Sequence, residues 1–186
     1  MKLFSSDIGP VVSSDDIFVL DTETTGLNGM AEVVQISIVD YYGNERFNKR
    51  IKPKLPIPPE VSAIHGITNE SVENEKSLSY YWDYMAKQFI TNKIIVGFNI
   101  MFDIRMLIQS MILESLDMGN TRGLSPVMVI DVMQLVVRRF GLDKFTSLKN
   151  SVQLLNLGID VTDNRYHNAL FDAQMTASCL RELIEL

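Results

Sequence analysis

Apolar positions along the chain fall into two rhythms, short unbroken or alternating runs and longer stretches with helical spacing. Residues 17–20 form a continuous apolar run with β-branched and aromatic members, which predicts a buried strand. Residues 33–42 alternate at Val34, Ile36 and Ile38 and predict a second strand; after the turn signal Gly43-Asn44, residues 45–52 alternate as a third. Short turns between these three imply an antiparallel meander. Prolines 53, 56, 58 and 59 then break regular structure, and the string AIHGIT over residues 63–68 predicts a loop followed by a polar stretch. Leu78, Tyr81, Trp82, Met85 and Phe89 recur at helical spacing and predict a helix over residues 77–91. Residues 93–99 are short and apolar, as buried parallel strands are. A helix is predicted over residues 102–116, a loop around Gly119, Gly123 and Pro126, and a fifth strand over 127–130. Helices follow over 132–140, 147–157 and from residue 169 to the end.

A meander, then strand, helix, strand and helices, predicts one α/β domain over residues 17–186, its mixed five-stranded sheet flanked by helices. Residues 1–16, rich in Ser and Asp, read as a flexible N-terminal lead. The length suits one domain with a substantial core, and 46% hydrophobic with 22% charged residues is the balance of a soluble globular protein. No apolar stretch approaches the ~20 residues of a membrane span and no signal core is present, which predicts no membrane association and a cytoplasmic protein. Cys179 is the one cysteine and falls in an apolar helical pattern, so it reads as core.

The apolar run over residues 17–20 delivers Asp21 and Glu23, which an extended chain projects to one face roughly 6 to 7 Å apart. Two carboxylates on a buried face need protons or cations, and divalent metal satisfies both at once. Thr24, Thr25 and Gly26 follow as a tight turn where a ligand can approach the backbone. Asp103 lies four residues past Asn99 at the start of a predicted helix. Asp131 also follows a strand and reads as a helix cap. Near the C-terminus, His167 precedes a helix and Asp172 falls in its second turn, so both can face one pocket. The net charge of −6 argues against broad, nonspecific binding to long nucleic acid, although acids gathered around bound cations also lower the formal charge while the cations restore the local balance. The basic residues Arg46, Lys49, Arg50, Lys52 and Lys54 read as a solvated strand face, with contact to phosphates as the alternative.

The strings DTETTGL (21–27), IHGIT (64–68), GFNIMFD (97–103) and HNALFD (167–172) together resemble those of the DnaQ-like 3′-to-5′ exonucleases of the DEDDh type. The resemblance covers residues 17–186 and implies a ribonuclease H-like fold. It implies two divalent ions, Mg²⁺ or Mn²⁺, with Asp21, Glu23 and Asp172 on one and Asp21 and Asp103 on the other. His167 would be the general base that activates water against the 3′-terminal phosphodiester, releasing a nucleoside 5′-monophosphate. Thr24, Leu27 and His65 would lie against the terminal nucleotide; Phe102 either stacks on a base or packs under its helix. His167 matches the histidine branch, whereas Tyr166 is out of register for the tyrosine branch. Phe98 departs from the histidine common in relatives. The IHGIT string points to polymerase-proofreading relatives and hence to DNA 3′ ends, with a DNA polymerase subunit as a possible partner. The last helix reaches the end of the sequence, so the extension by which dedicated proofreading subunits are tethered is not expected. RNA trimming and a non-catalytic nucleic-acid or polymerase-binding module are the rival readings.

Overall fold

Strand β1 (Ile17–Thr24) is the middle of a five-stranded sheet, and its two faces are built differently. The computed structural model, which describes residues 13–115, 125–160 and 165–185, orders the sheet β3-β2-β1-β4-β5. Strands β2 (Val33–Asp40) and β3 (Glu45–Arg50) continue from β1 as an antiparallel meander. Strands β4 (Ile94–Gly97) and β5 (Met128–Asp131) run parallel to β1 on its other side. The expected mixed sheet is present, flanked by helices on both faces.

Alternation along β1 sorts its side chains into two cores. Phe18 and Leu20 join Ile36, Ile38 and Phe47 beneath α3 (Leu78–Met85) and α4 (Ile100–Leu113), around Trp82, Met85 and Met106. Ile17 and Val19 join Ile94 and Val96 against α5 (Val132–Phe140), α6 (Leu148–Leu154) and α7 (Ala169–Glu185). Cys179 is fully buried in this second core, and burial pushes its thiol up to about 12, so it is unreactive packing as expected.

Several elements depart from the sequence pattern for identifiable reasons. β1 runs past Leu20 through both acids, because β2 pairs with it as far as Thr24 opposite Val33. Where a loop was expected, α1 (Pro59–His65) forms. Pro59 sits in the first turn, where a missing N–H costs nothing, and Gly66, at φ 74°, ends the helix by accepting a left-handed conformation. Thr68 and Ser71 form a reciprocal capping box that starts the single turn α2 (Asn69–Val72). The helix expected over 77–91 changes winding: beyond Met85 it widens into a π turn (Ala86–Ile90), closed by Thr91 N–H on the Ala86 carbonyl at 2.8 Å. Glu114 reaches back to accept the Leu78 and Ser79 amides at 2.9 Å each, capping α3 from the end of α4. Ser14–Asp16 make a 3-10 turn before β1. The remainder of the expected lead, residues 1–12, and the loop around Gly119 and Gly123 lie outside the described residues.

Gly97 allows β4 to end tightly against the helix that follows. A Cβ there would meet Ile100 Cδ1 at 2.5 Å and the Leu20 carbonyl at 3.0 Å, so no other residue lets α4 start so close to β1. That contact lies one residue before Asp21. Among the described residues no helix is long and apolar enough to cross a membrane.

Candidate active site

The carboxylates reach the site from opposite layers of the fold. Asp21 and Glu23 continue the face of β1 that packs on α7, and the first turn of α7 carries Asp172. Oxygens of these three side chains lie within 4.8 Å of one another. Thr22 points the other way, toward α4, and there it holds Asp103. One Asp103 oxygen accepts the Thr22 backbone amide at 3.0 Å and the Thr22 hydroxyl at 2.7 Å. Asp103 is only 3% exposed and stands outside the tight trio, yet among the neighbouring charges its carboxylate affects Asp21 most. The order along β1 thus joins the two layers: alternate residues of one short run address α7 and α4 in turn.

His167 lies in the turn before α7 with φ 67°, a left-handed conformation unusual for a residue with a side chain. Its backbone amide donates to Asp172 Oδ2 at 3.1 Å, and Asn168 Oδ1 caps the helix by accepting the Phe171 amide at 3.3 Å. The His167 side chain is exposed. The other oxygen of Asp172 is buried and has no hydrogen-bond partner. An orphaned carboxylate oxygen beside two more carboxylates is a set of hard donors suited to Mg²⁺ or Mn²⁺.

Asp21, Glu23, Asp103, His167, Asp172, Thr24, Leu27, His65 and Phe102, the residues the resemblance assigns to the site, all line one cleft of about 360 Å³. His65 is fixed by accepting the Ile67 amide at Nδ1, 3.0 Å away, which leaves Nε2 to donate to the Thr24 carbonyl at 3.2 Å. Burial lowers the affinity of His65 for a second proton, outweighing the Thr24 carbonyl, and the neighbouring His167 lowers it further. Leu27, 76% exposed, and Ile64 of α1, 58% exposed, also line the cleft. Phe102 packs against the first core, as one of its two alternatives has it, and also lines the cleft, with the Arg105 guanidinium 5.4 Å from its ring centre. Phe98, the departure from the family pattern, packs into the second core and also lines the cleft. A neighbouring cleft of about 560 Å³ shares Ile64, His65 and His167 with the first.

One supporting residue and one supporting contact were not found by pattern. Thr22 lies between the acids and reads as a spacer until its hydroxyl is seen on Asp103. Asp131 caps α5 as expected, accepting the Met133 amide at 3.0 Å, but the same oxygen accepts the Asn99 amide at 2.9 Å and so ties β5 to the start of α4. The basic cluster on and after β3 is solvent-exposed, as expected.

Burial and mutual repulsion leave the site short of positive charge. Burial, then Asp103, Asp172 and Glu23, raise the Asp21 carboxyl well above its ordinary value. Glu23 is raised to about 8 by burial and then by Asp172 and Asp103. Burial raises Asp103 to about 7 against the Thr22 bonds, and Asp172 to about 7 against the His167 amide and Lys149. The folded protein therefore binds more protons than the unfolded chain between about pH 4 and 8. The stability that goes with those protons is complete below the ordinary carboxyl values and is lost as pH rises through 7 to 8, by up to ~1.4 kcal/mol per pH unit for each extra proton. In EDTA the melting temperature is expected to fall as pH is raised from 5 to 8, and millimolar Mn²⁺ is expected to remove or reverse that slope. Thermal melts at matched pH check this; a flat profile in EDTA would show that the acids do not repel one another.

A family model described as exonuclease matches residues 18–180. An uncharacterized exonuclease of Escherichia phage 186 is 31% identical over 175 residues, spanning 91% of this chain and 88% of the phage protein. A PolC-type DNA polymerase III of Thermotoga maritima is 31% identical over 194 residues, spanning 97% of this chain but only 13% of the polymerase. Among solved structures, exonuclease X in complex with 5′-overhanging duplex DNA superposes with a TM-score of 0.63 at 24% identity, covering 91% of each chain.

Proposed function

The chain belongs to the exonuclease family, and from that premise we propose that it removes nucleotides one at a time from the 3′ end of DNA, using two divalent ions. The single observation that carries the reading is the convergence of Asp21, Glu23 and Asp172 within 4.8 Å, with Asp172 keeping a buried oxygen unpartnered. Asp21, Glu23 and Asp172 would hold one Mg²⁺ or Mn²⁺, and Asp21 with Asp103 a second. When bound, such ions neutralise the acid cluster, lower the pKa of water and stabilise charge on a leaving oxygen.

The chain's own groups do the rest. Thr22 fixes the rotamer of Asp103 through two hydrogen bonds, so that carboxylate is in place before anything binds. His167, at the exposed rim, takes the proton of the attacking water at its imidazole and passes it to solvent. Asp172 steadies that histidine through its backbone amide rather than through the ring. Leu27 and Ile64 line the space for the terminal nucleotide, His65 presents a ring oriented by Thr24 and Ile67, and Phe102 offers a face for a base. Stacking of that kind is worth ~1 to 3 kcal/mol and tolerates any base. The products are a strand one nucleotide shorter and a nucleoside 5′-monophosphate.

DNA is favoured as substrate by the polymerase relative and by the exonuclease X structure with DNA. The same relative, although this chain spans only 13% of it, supports reading the activity as one exerted beside a DNA polymerase, in proofreading or repair. The test is a time course with 5′-labelled single-stranded DNA and RNA of matched sequence in Mn²⁺. DNA is expected to shorten at least about tenfold faster, the scale on which one misplaced or missing hydroxyl contact discriminates. RNA shortening faster would reassign the enzyme to RNA trimming.

A further inference from the structure

The turn that carries His167 needs more support than its own hydrogen bonds supply. A left-handed φ at a residue with a Cβ persists only when the surroundings impose it. Two aromatic rings pack beside this turn, outside the cleft. Tyr166 precedes His167, Phe171 precedes Asp172, and their rings meet edge to face at 5.1 Å and 87°. Both are buried, at 7% and 4% exposure. Each ring carries a cation on a face: the Lys149 ammonium lies 4.6 Å from the Tyr166 centre, and the Arg165 guanidinium 4.4 Å from that of Phe171. The stack Lys149, Tyr166, Phe171, Arg165 runs alongside the polar link from His167 to Asp172, joining the same two stretches of chain by a second route.

Lys149 is the informative member. It sits in the first turn of α6, the wrong end of a helix for a cation, where the dipole repels it. Helix stability therefore does not account for its placement, whereas the face of Tyr166 does. The side chain is exposed, so it is not needed for packing.

We propose that Lys149 is a positioning residue for His167, its ammonium holding Tyr166 against Phe171 so that the turn presents the imidazole to the cleft in one orientation. The proposal rests on the reading of His167 as general base.

The test uses the full chain on a 5′-labelled single-stranded DNA in Mn²⁺, with thermal melts to show that each variant is folded. Lys149→Met is expected to lower kcat about three- to tenfold with KM changed by less than about twofold, the scale of one cation–π contact. Lys149→Arg, which keeps a cation on the ring, is expected to restore most of kcat. In a His167→Ala background, Lys149→Met is expected to cause no further loss, because its effect passes through the imidazole. An equal loss in that background, or a rise in KM with kcat unchanged, would overturn the proposal. A disabled His167→Ala beside an unaffected Lys149→Met overturns the clamp alone; a His167→Ala variant with near-normal turnover overturns both the clamp and the general-base reading.

Discussion

Asp21→Asn is expected to abolish turnover and, in the same protein, to raise the melting temperature of the metal-free fold. The two effects have one cause. Asp21 stands at the junction of the two layers, repelled by Asp103, Asp172 and Glu23 while buried. An amide of nearly the same shape removes that repulsion, so the fold without metal gains stability. The amide also removes the negative charge of a carboxylate that would serve both proposed ions. Loss of several kcal/mol of charge stabilisation corresponds to a ~10³-fold or larger fall in turnover. Melting in EDTA at pH 8 and a DNA-shortening assay on the same preparation read both halves. A variant less stable than the parent in EDTA, at pH 8 where repulsion is greatest, would show that Asp21 is held by structural bonds rather than poised for cations.

His167→Ala is expected to reduce kcat by ~10² to 10⁴-fold, the usual contribution of a positioned general base. Metal affinity should change little, because the backbone amide, not the imidazole, contacts Asp172. Folding should also be preserved, since the side chain is exposed. Relief of the left-handed strain does not follow, because alanine also carries a Cβ. The comparison that checks this is Mn²⁺-dependent thermal stabilisation of the variant beside its turnover. A loss of metal stabilisation together with activity would assign His167 to cation binding instead.

Much of this arrangement was legible in the chain because strand geometry is so restrictive. Asp21 and Glu23 share a face whatever surrounds them, and the apolar residues before them already say that the face is inside. The helix starts at Asp103 and Asp172 are marked by the strand end and the histidine that precede them. What could not be read was which layer each acid would come from, since that depends on Thr22 and on the packing of α4 and α7 against opposite faces. The proline-rich stretch misled for a different reason. Prolines 53 and 56 do interrupt structure, but Pro59 falls where a helix tolerates it best, so α1 and with it Ile64 and His65 were read as loop. The π turn after Met85 has no local signal, because its apolar positions fit an α-helix equally well.

The most direct test of the central claim, that this acid cluster serves metal-dependent hydrolysis at the 3′ end, is product analysis. A 5′-labelled single-stranded DNA would be followed by gel and its released products by chromatography, in Mg²⁺, in Mn²⁺ and in EDTA, with Asp21→Asn as the control preparation. A ladder descending one nucleotide at a time, with nucleoside 5′-monophosphates released only when metal and intact Asp21 are both present, is the predicted result. Shortening that persists in EDTA, begins at the labelled 5′ end, or leaves nucleoside 3′-monophosphates would contradict it.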